Sequence, residues 1–357
     1  MESSASAAWA RFLVVLASTS RAAWLQVVTD RATAATRQEE IVVAGVPTTL
    51  ARPGRARPCA TLVFINGVTA RGRRHPDVRR LARALARAGF LVLVPDLPGL
   101  ARGEISEDTV AAAVDVGCAA ADWPEARAGR IGLLGLSVGT TLALLAAEDG
   151  RLAERVSAVA GIAPYTDFGK IIRLATTGTY PYGTRLVRYR VPAFLRLVVA
   201  RSLAAGVPTR EDRELLAATL APVDADAPDP LAPLRRLPRA SLTAATLAVL
   251  DLTLNRDPDR FDPLYAALPA EMRGTGARLS PLAGAERLRV PVELVTAPRD
   301  KYFPPAESHA LAAAAPTVRV TVTRALTHAN PSIVLRDPGG LSQFCRFGTR
   351  ALRTLAA

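Results

Sequence analysis

Arg130-Ile131-Gly132-Leu133-Leu134-Gly135-Leu136-Ser137-Val138-Gly139-Thr140-Thr141-Leu142-Ala143-Leu144-Leu145-Ala146-Ala147 reads as a short buried strand, a tight turn and an apolar helix. Its centre, Gly135-Leu136-Ser137-Val138-Gly139, is a G-x-S-x-G pattern, which a chain with 24 glycines can produce by accident. The flanking strand and helix change its meaning. A serine on a sharp strand-to-helix turn is held in a strained backbone with its hydroxyl exposed, and small glycines on both sides permit the turn. The free N–H groups and positive dipole end of the following helix point at the same spot, where an oxyanion can be held.

Working outward, the pattern on either side is that of an alternating α/β chain. Glu40-Ile41-Val42-Val43 and Val46-Pro47-Thr48-Thr49-Leu50, broken at Ala44-Gly45, predict an antiparallel hairpin. Thr61–Ile65 and Phe90–Val94 are apolar strands, separated by a helix over Val78–Ala88 that stops at Gly89. Ser106 caps a helix reaching about Trp123, and Val156–Ile162 is the strand after the serine helix. Continuous apolar strands alternating with helices imply a parallel sheet covered on both faces.

The alternation stops near Tyr165. From there to about Glu286 the sequence carries helical stretches and Pro-rich joints such as Ala227-Pro228-Asp229-Pro230, with no convincing strand. It resumes with a strand at Val290–Val295, a helix at Ala306–Ala315, a strand at Thr317–Val322 and a final helix from about Gly340. The expected organisation is therefore an N-terminal helical extension (1–38), an α/β core (39–164 and 286–357) of about eight mostly parallel strands, and a helical cap (165–285) inserted before the strand at Val290.

A chain of 357 residues, half of them apolar, can bury a core of that size. Its formal net charge is +13, and only Lys170 and Lys301 among the 45 basic residues are lysine. The arginines are spread along the whole chain without a basic tail or interleaved aromatics, which argues against a nucleic-acid partner. Cys59, Cys118 and Cys345 are odd in number and far apart, so neither a disulfide framework nor a zinc site is expected, and reduced thiols fit a cytoplasmic protein. The run Phe12–Ala17, with Trp24, Val27 and Val28 beyond it, is too short for a secretory core or a membrane span. Packing of this segment on the domain is favoured over contact with a membrane surface.

A serine needs a general base, usually a histidine oriented by a carboxylate. Of the three histidines, His309 falls inside a helix and His75 in an arginine-rich loop, whereas His328 follows the last strand in Ala325-Leu326-Thr327-His328-Ala329-Asn330-Pro331. His328 is the candidate base. Asp300 leaves the preceding strand in Val295-Thr296-Ala297-Pro298-Arg299-Asp300 and is the candidate acid. Asp167, after the Val156–Ile162 strand, is its rival; Asp96, after another strand, reads as a turn-stabilising carboxylate.

The chain order Ser137, Asp300, His328, on a sheet with a cap inserted before the acid, resembles the α/β-hydrolase fold family over roughly residues 40–357. Within it the chain is most similar to esterases and to dienelactone-hydrolase-like and serine-aminopeptidase-like members. The resemblance implies a Ser137 nucleophile, an acyl-enzyme, and no cofactor or metal. It also implies two backbone oxyanion donors: Val138, and Val68 in the loop Asn66-Gly67-Val68-Thr69-Ala70-Arg71-Gly72. Many relatives have His-Gly where this chain has Asn66-Gly67. Ester hydrolysis is the leading expectation; a peptidase, a C–C hydrolase, a cofactor-free haloperoxidase-type side activity and a non-catalytic binding scaffold are the alternatives.

Gly67, Arg74 and Tyr302 are candidates for touching a small-molecule ester or acyl substrate. Arg73-Arg74-His75-Pro76 offers either an arginine grip for an anionic substrate group or a solvated turn, and the turn is favoured. Arg185–Val199 mixes basic and apolar residues at near-helical spacing. It reads as a helix that packs on the domain, with a lipid-surface helix as the other reading.

Overall fold

The computed structural model describes residues 5–20, 24, 29, 31–54, 59–329 and 337–357; Val27, Val28, Asn330 and Pro331 lie outside them. One sheet is formed by β1 (Arg37–Val43), β2 (Val46–Arg52), β3 (Cys59–Ile65), β4 (Leu91–Pro95), β5 (Ala126–Leu136), β6 (Val156–Ile162), β9 (Val292–Thr296) and β10 (Val318–Val322). These eight strands lie in the order β1-β2-β4-β3-β5-β6-β9-β10. β1 and β2 form an antiparallel hairpin, turned by Ala44 (φ 47°) and Gly45 (φ 77°), and β2 runs antiparallel to β4. From β4 to β10 every pairing is parallel.

The alternation of side chains across the pleat explains why both faces need cover. On β3, Leu62 and Phe64 enter one core with Phe90, Phe344 and Leu352, while Val63 and Ile65 enter another with Leu133, Leu142 and Leu144. The first face is covered by α1 (Ala5–Thr19), α2 (Pro76–Arg87) and the C-terminal helix α12 (Pro338–Leu355); the second by α3 (Glu107–Ala121) and α4 (Val138–Glu148). The α1 helix packs on the domain through Phe12, whose ring meets Phe344 edge-on at 6.1 Å. A Cβ at Gly348 would lie 2.1 Å from that ring, so α12 needs a glycine there for α1 to dock. Trp9 and Leu13, on the same helix, stay exposed.

Between β6 and β9 lie α5 (Phe168–Thr177), α6 (Ala193–Ala205), α7 (Arg210–Leu220), α8 (Ala244–Leu254), α9 (Phe261–Ala266) and α10 (Ala270–Arg278). The expectation of no strand in this segment is corrected. Thr179–Tyr182 (β7) and Arg185–Arg188 (β8) pair antiparallel as a separate two-stranded sheet. The helix expected over Arg185–Val199 is likewise split, and its helical part begins only after Pro192. Gly178 (φ 70°) and Gly183 (φ 58°) supply the left-handed turns at either end of β7, and Pro181 and Pro192 exclude a continuous helix.

Candidate active site

The serine turn is built by close approach. Ser137 has φ 54° and ψ −127°, a conformation that L-residues avoid. It is fixed by its N–H donating to Ile162 O at 2.7 Å and its carbonyl accepting from Thr140 N at 2.8 Å. Both glycines of the pattern are required by contact: a Cβ at Gly135 would lie 2.3 Å from Thr140 Cα, and one at Gly139 2.1 Å from Ile65 O. Ser137 thus sits at the C-terminal end of β5, at the N-terminus of α4.

Two other strand ends deliver its neighbours. The loop after β9 carries Asp300, whose side chain is wholly buried, and the loop after β10 carries His328. The imidazole bridges the other two residues: Nε2 lies 2.8 Å from Ser137 Oγ, and Nδ1 2.7 Å from Asp300 Oδ2. The other oxygen of Asp300 accepts backbone N–H bonds from Tyr302 (2.8 Å) and Phe303 (3.1 Å). Those bonds fix the carboxylate so that one lone pair faces the ring, which places the proton on Nδ1 and leaves Nε2 free to accept. The rings of Tyr302 (centroid 4.6 Å away) and Phe303 (5.6 Å) flank the imidazole, and Phe194 of α6 meets Tyr302 edge-on at 6.1 Å.

The competing residues are engaged elsewhere. Asp167 caps α5, accepting from Lys170 N at 3.1 Å and pairing with Lys170 Nζ at 3.2 Å. His75 caps α2 by accepting from Asp77 N at 3.3 Å, and His309 is exposed on α11 (Pro305–Ala314). Asp96 stands 3.8 Å from Arg73 Nε, while its N–H bonds Pro47 O.

The loop after β3 lies against the serine turn: a Cβ at Gly67 would be 3.3 Å from Ser137 Cβ and 3.1 Å from Leu136 O. Asn66, buried, donates to Gly67 O at 2.7 Å and holds the loop in place. Val138 is the first residue of α4, so its N–H has no acceptor within the helix. The side chain of Val68 faces Gly103, beside Val198 of α6.

The two arginines of this loop differ. Arg73 is 4% exposed and bonds Glu40 and, at 2.8 Å, Thr49 Oγ1, tying the β1–β2 hairpin to the loop. Arg74 is exposed, and its charge acts on Glu40.

Glu307 was not singled out from the sequence, where it is an ordinary acidic residue in the first turn of a helix. It is fully buried on α11. Its Oε2 accepts from Thr166 N (2.6 Å), Asp167 N (2.8 Å) and Thr166 Oγ1 (3.1 Å), and its Oε1 from Tyr180 OH (2.5 Å). Burial pushes its carboxyl pKa up, against these donors. No local signal marks it, because every partner lies more than a hundred residues away.

The three cysteines are free, and among the described residues no cluster of three or more His, Cys, Asp or Glu is placed to hold a metal ion. No described helix is long and apolar enough to cross a membrane.

No curated protein matches the chain in sequence. Among solved structures, an esterase named rPPE superposes with a TM-score of 0.50 at 15% identity, covering 92% of this chain and 85% of that one. Dipeptidyl peptidase 4 of Porphyromonas gingivalis gives 0.50 at 12% identity, covering 90% of this chain and 35% of that one. A Pyrococcus furiosus esterase gives 0.47 at 13%, covering 90% and 92%. At these identities the first two likenesses are ones of fold alone. The description "alpha/beta hydrolase fold" matches residues 60–328, from the start of β3 to His328. The chain belongs to the alpha/beta hydrolase fold family.

Proposed function

We propose that this protein is a serine hydrolase that cleaves a carboxylic ester or a related acyl bond through a covalent acyl-enzyme. The observation that carries the reading is the continuous hydrogen-bonded line from Ser137 Oγ through His328 to Asp300, with both bonds under 3 Å.

In this reading His328 Nε2 takes the proton as Ser137 Oγ attacks the carbonyl carbon, and then delivers it to the leaving alcohol. Asp300 keeps the imidazole in the required tautomer and stabilises its charged form. The N–H groups of Val138 and Val68 receive the oxyanion, each contributing on the order of 3 kcal/mol in the transition state. Water activated by the same histidine releases the acid. Gly67 lets the Val68 loop approach, and Tyr302 and Phe194 offer an apolar, aromatic wall for the acyl or alcohol group. Arg74, exposed beside Glu40, has less support as a substrate contact than Tyr302. The free thiols support a reducing, cytoplasmic setting.

A peptidase or C–C hydrolase would use the same three residues with a different pocket. The intact Ser–His–Asp line speaks against a non-catalytic scaffold. The test is labelling with a fluorophosphonate probe, alongside turnover of a panel of p-nitrophenyl esters. Labelling confined to Ser137 and lost in Ser137→Ala supports the proposal; absence of labelling in the folded protein overturns it.

A further inference from the structure

The fold divides the basic and apolar stretch Arg185–Val199 into two parts with opposite surroundings. Leu195, Leu197, Val198 and Val199 on α6 are buried in the core. The outer part of the β7–β8 hairpin before it is not. Every residue from 182 to 188 is exposed, including Tyr182 at 64%, Leu186 at 48% and Val187 at 40%. These three are among the few large apolar side chains that the described surface exposes to this degree. The hairpin stands on a fixed base, because Tyr180 at its root is buried, bonds Glu307 and meets Tyr189 edge-on at 6.2 Å.

Its charge is of one sign. Arg185, Arg188 and Arg190 are exposed among the apolar residues, and no Asp or Glu occurs between residues 168 and 210. The ion pairs formed by flanking basic residues, Lys170–Asp167, Arg173–Asp262 and Arg210–Glu214, do not involve these three. Water solvates such cations but gains nothing from the leucine and valine between them. An anionic phospholipid surface accommodates both, with guanidiniums on phosphate oxygens and the tyrosine, leucine and valine in the headgroup–acyl boundary. Each arginine near such a surface strengthens binding by about fivefold.

We propose that the β7–β8 hairpin docks this protein end-on on an anionic phospholipid surface, so that Tyr182 and Val187 on one face of the hairpin and Leu186 on the other enter the interface together while Arg185, Arg188 and Arg190 pair with lipid phosphates. The docking is peripheral and does not depend on the chemistry assigned to Ser137.

The experiment is co-sedimentation of the full chain with phosphatidylcholine vesicles, with and without phosphatidylglycerol. The wild type is expected to bind only the phosphatidylglycerol-containing vesicles. Arg185→Glu/Arg188→Glu should weaken that binding by about tenfold or more, and Leu186→Ser/Val187→Ser severalfold at unchanged charge. Unaltered thermal unfolding of both variants would show that the loss is not misfolding. Arg79→Glu/Arg83→Glu, on α2, makes the same change in net charge and should leave most of the binding in place. Equal loss in that control would assign binding to diffuse positive charge and overturn the proposal. So would hairpin-dependent binding to DNA or heparin without vesicle binding, or a hairpin-dependent dimer that ignores vesicles.

Discussion

Glu307 on α11 accepts the phenol of Tyr180 on β7 at 2.5 Å, joining the helix that follows the Asp300 loop to the root of the exposed hairpin. The same carboxylate accepts the N–H groups of Thr166 and Asp167, just after β6. One buried acid therefore ties α11 to two segments that precede it by more than a hundred residues. Because its pKa is raised above the ordinary value of 4.5, the folded protein binds a proton that the unfolded chain has released. Stability from this group is present below the unfolded value and falls as pH rises through the folded one. Glu307→Gln can keep an oxygen toward Thr166 and Asp167 and donate its amide to Tyr180. It should flatten the fall in urea midpoint above about pH 4.5, whereas Tyr180→Phe, which strips one oxygen of its only donor, should cost about 1–3 kcal/mol at neutral pH. A wild-type pH slope in Glu307→Gln would refute this.

The acid assignment is tested by exchanging one carboxylate at a time. Asp300→Asn should cut ester turnover by roughly 10⁴-fold, because the amide favours the wrong imidazole tautomer. Asp167→Asn should leave turnover within a few fold, since Asn is also a good helix cap. The comparison needs only kcat for the two variants and the wild type. If Asp167→Asn were the inactive one, His328 would have to change partners.

Backbone strain at Ser137 gives a prediction independent of chemistry. With φ at 54°, any L-residue there is strained and glycine is not. Ser137→Gly and Ser137→Ala should both be inactive, yet Ser137→Gly should be the more stable by about 1 kcal/mol or more. Gly139→Ala moves the opposite way, because its Cβ would lie 2.1 Å from Ile65 O, against backbone that cannot yield cheaply. Its thermal midpoint should fall well below those of both serine variants, or the protein should fail to accumulate.

The parts of this structure that follow short-range rules were legible in the sequence. The apolar residues of β4 are buried from end to end, and the serine turn is punctuated by two glycines whose necessity is steric. The rule that functional side chains sit at strand ends singles out Asp300 and His328, which the fold brings into one hydrogen-bonded line with Ser137. What escaped is set by contacts across the chain. Arg73 and Arg74 are neighbours of one type, but only Arg73 reaches Glu40 and Thr49 to become buried. The β7–β8 hairpin escaped for another reason: residues 182–188 all face water, so no alternation of burial is written into them. Their mixture of arginine and apolar side chains imitates a helix stripe, and only the glycine and proline positions tell otherwise.

At the far end of the serine helix, Glu148 provides a second pH-dependent site with a defined window. Its side chain is 3% exposed and has one ion pair, to the exposed Arg287 at 3.3 Å. Burial raises its pKa to about 8, only partly opposed by Arg287. Between the unfolded value of about 4.5 and about 8, the native state holds the extra proton, so this site's contribution to stability declines as pH rises through that interval. Glu148→Gln removes the ionisable group while keeping its size. The variant should match the wild type near pH 4 and exceed it near pH 8 by on the order of a few kcal/mol. Urea midpoints at those two values decide it: a gap of the same size at both would mean that the substituted amide acts through packing, and that the carboxyl of Glu148 does not titrate between them.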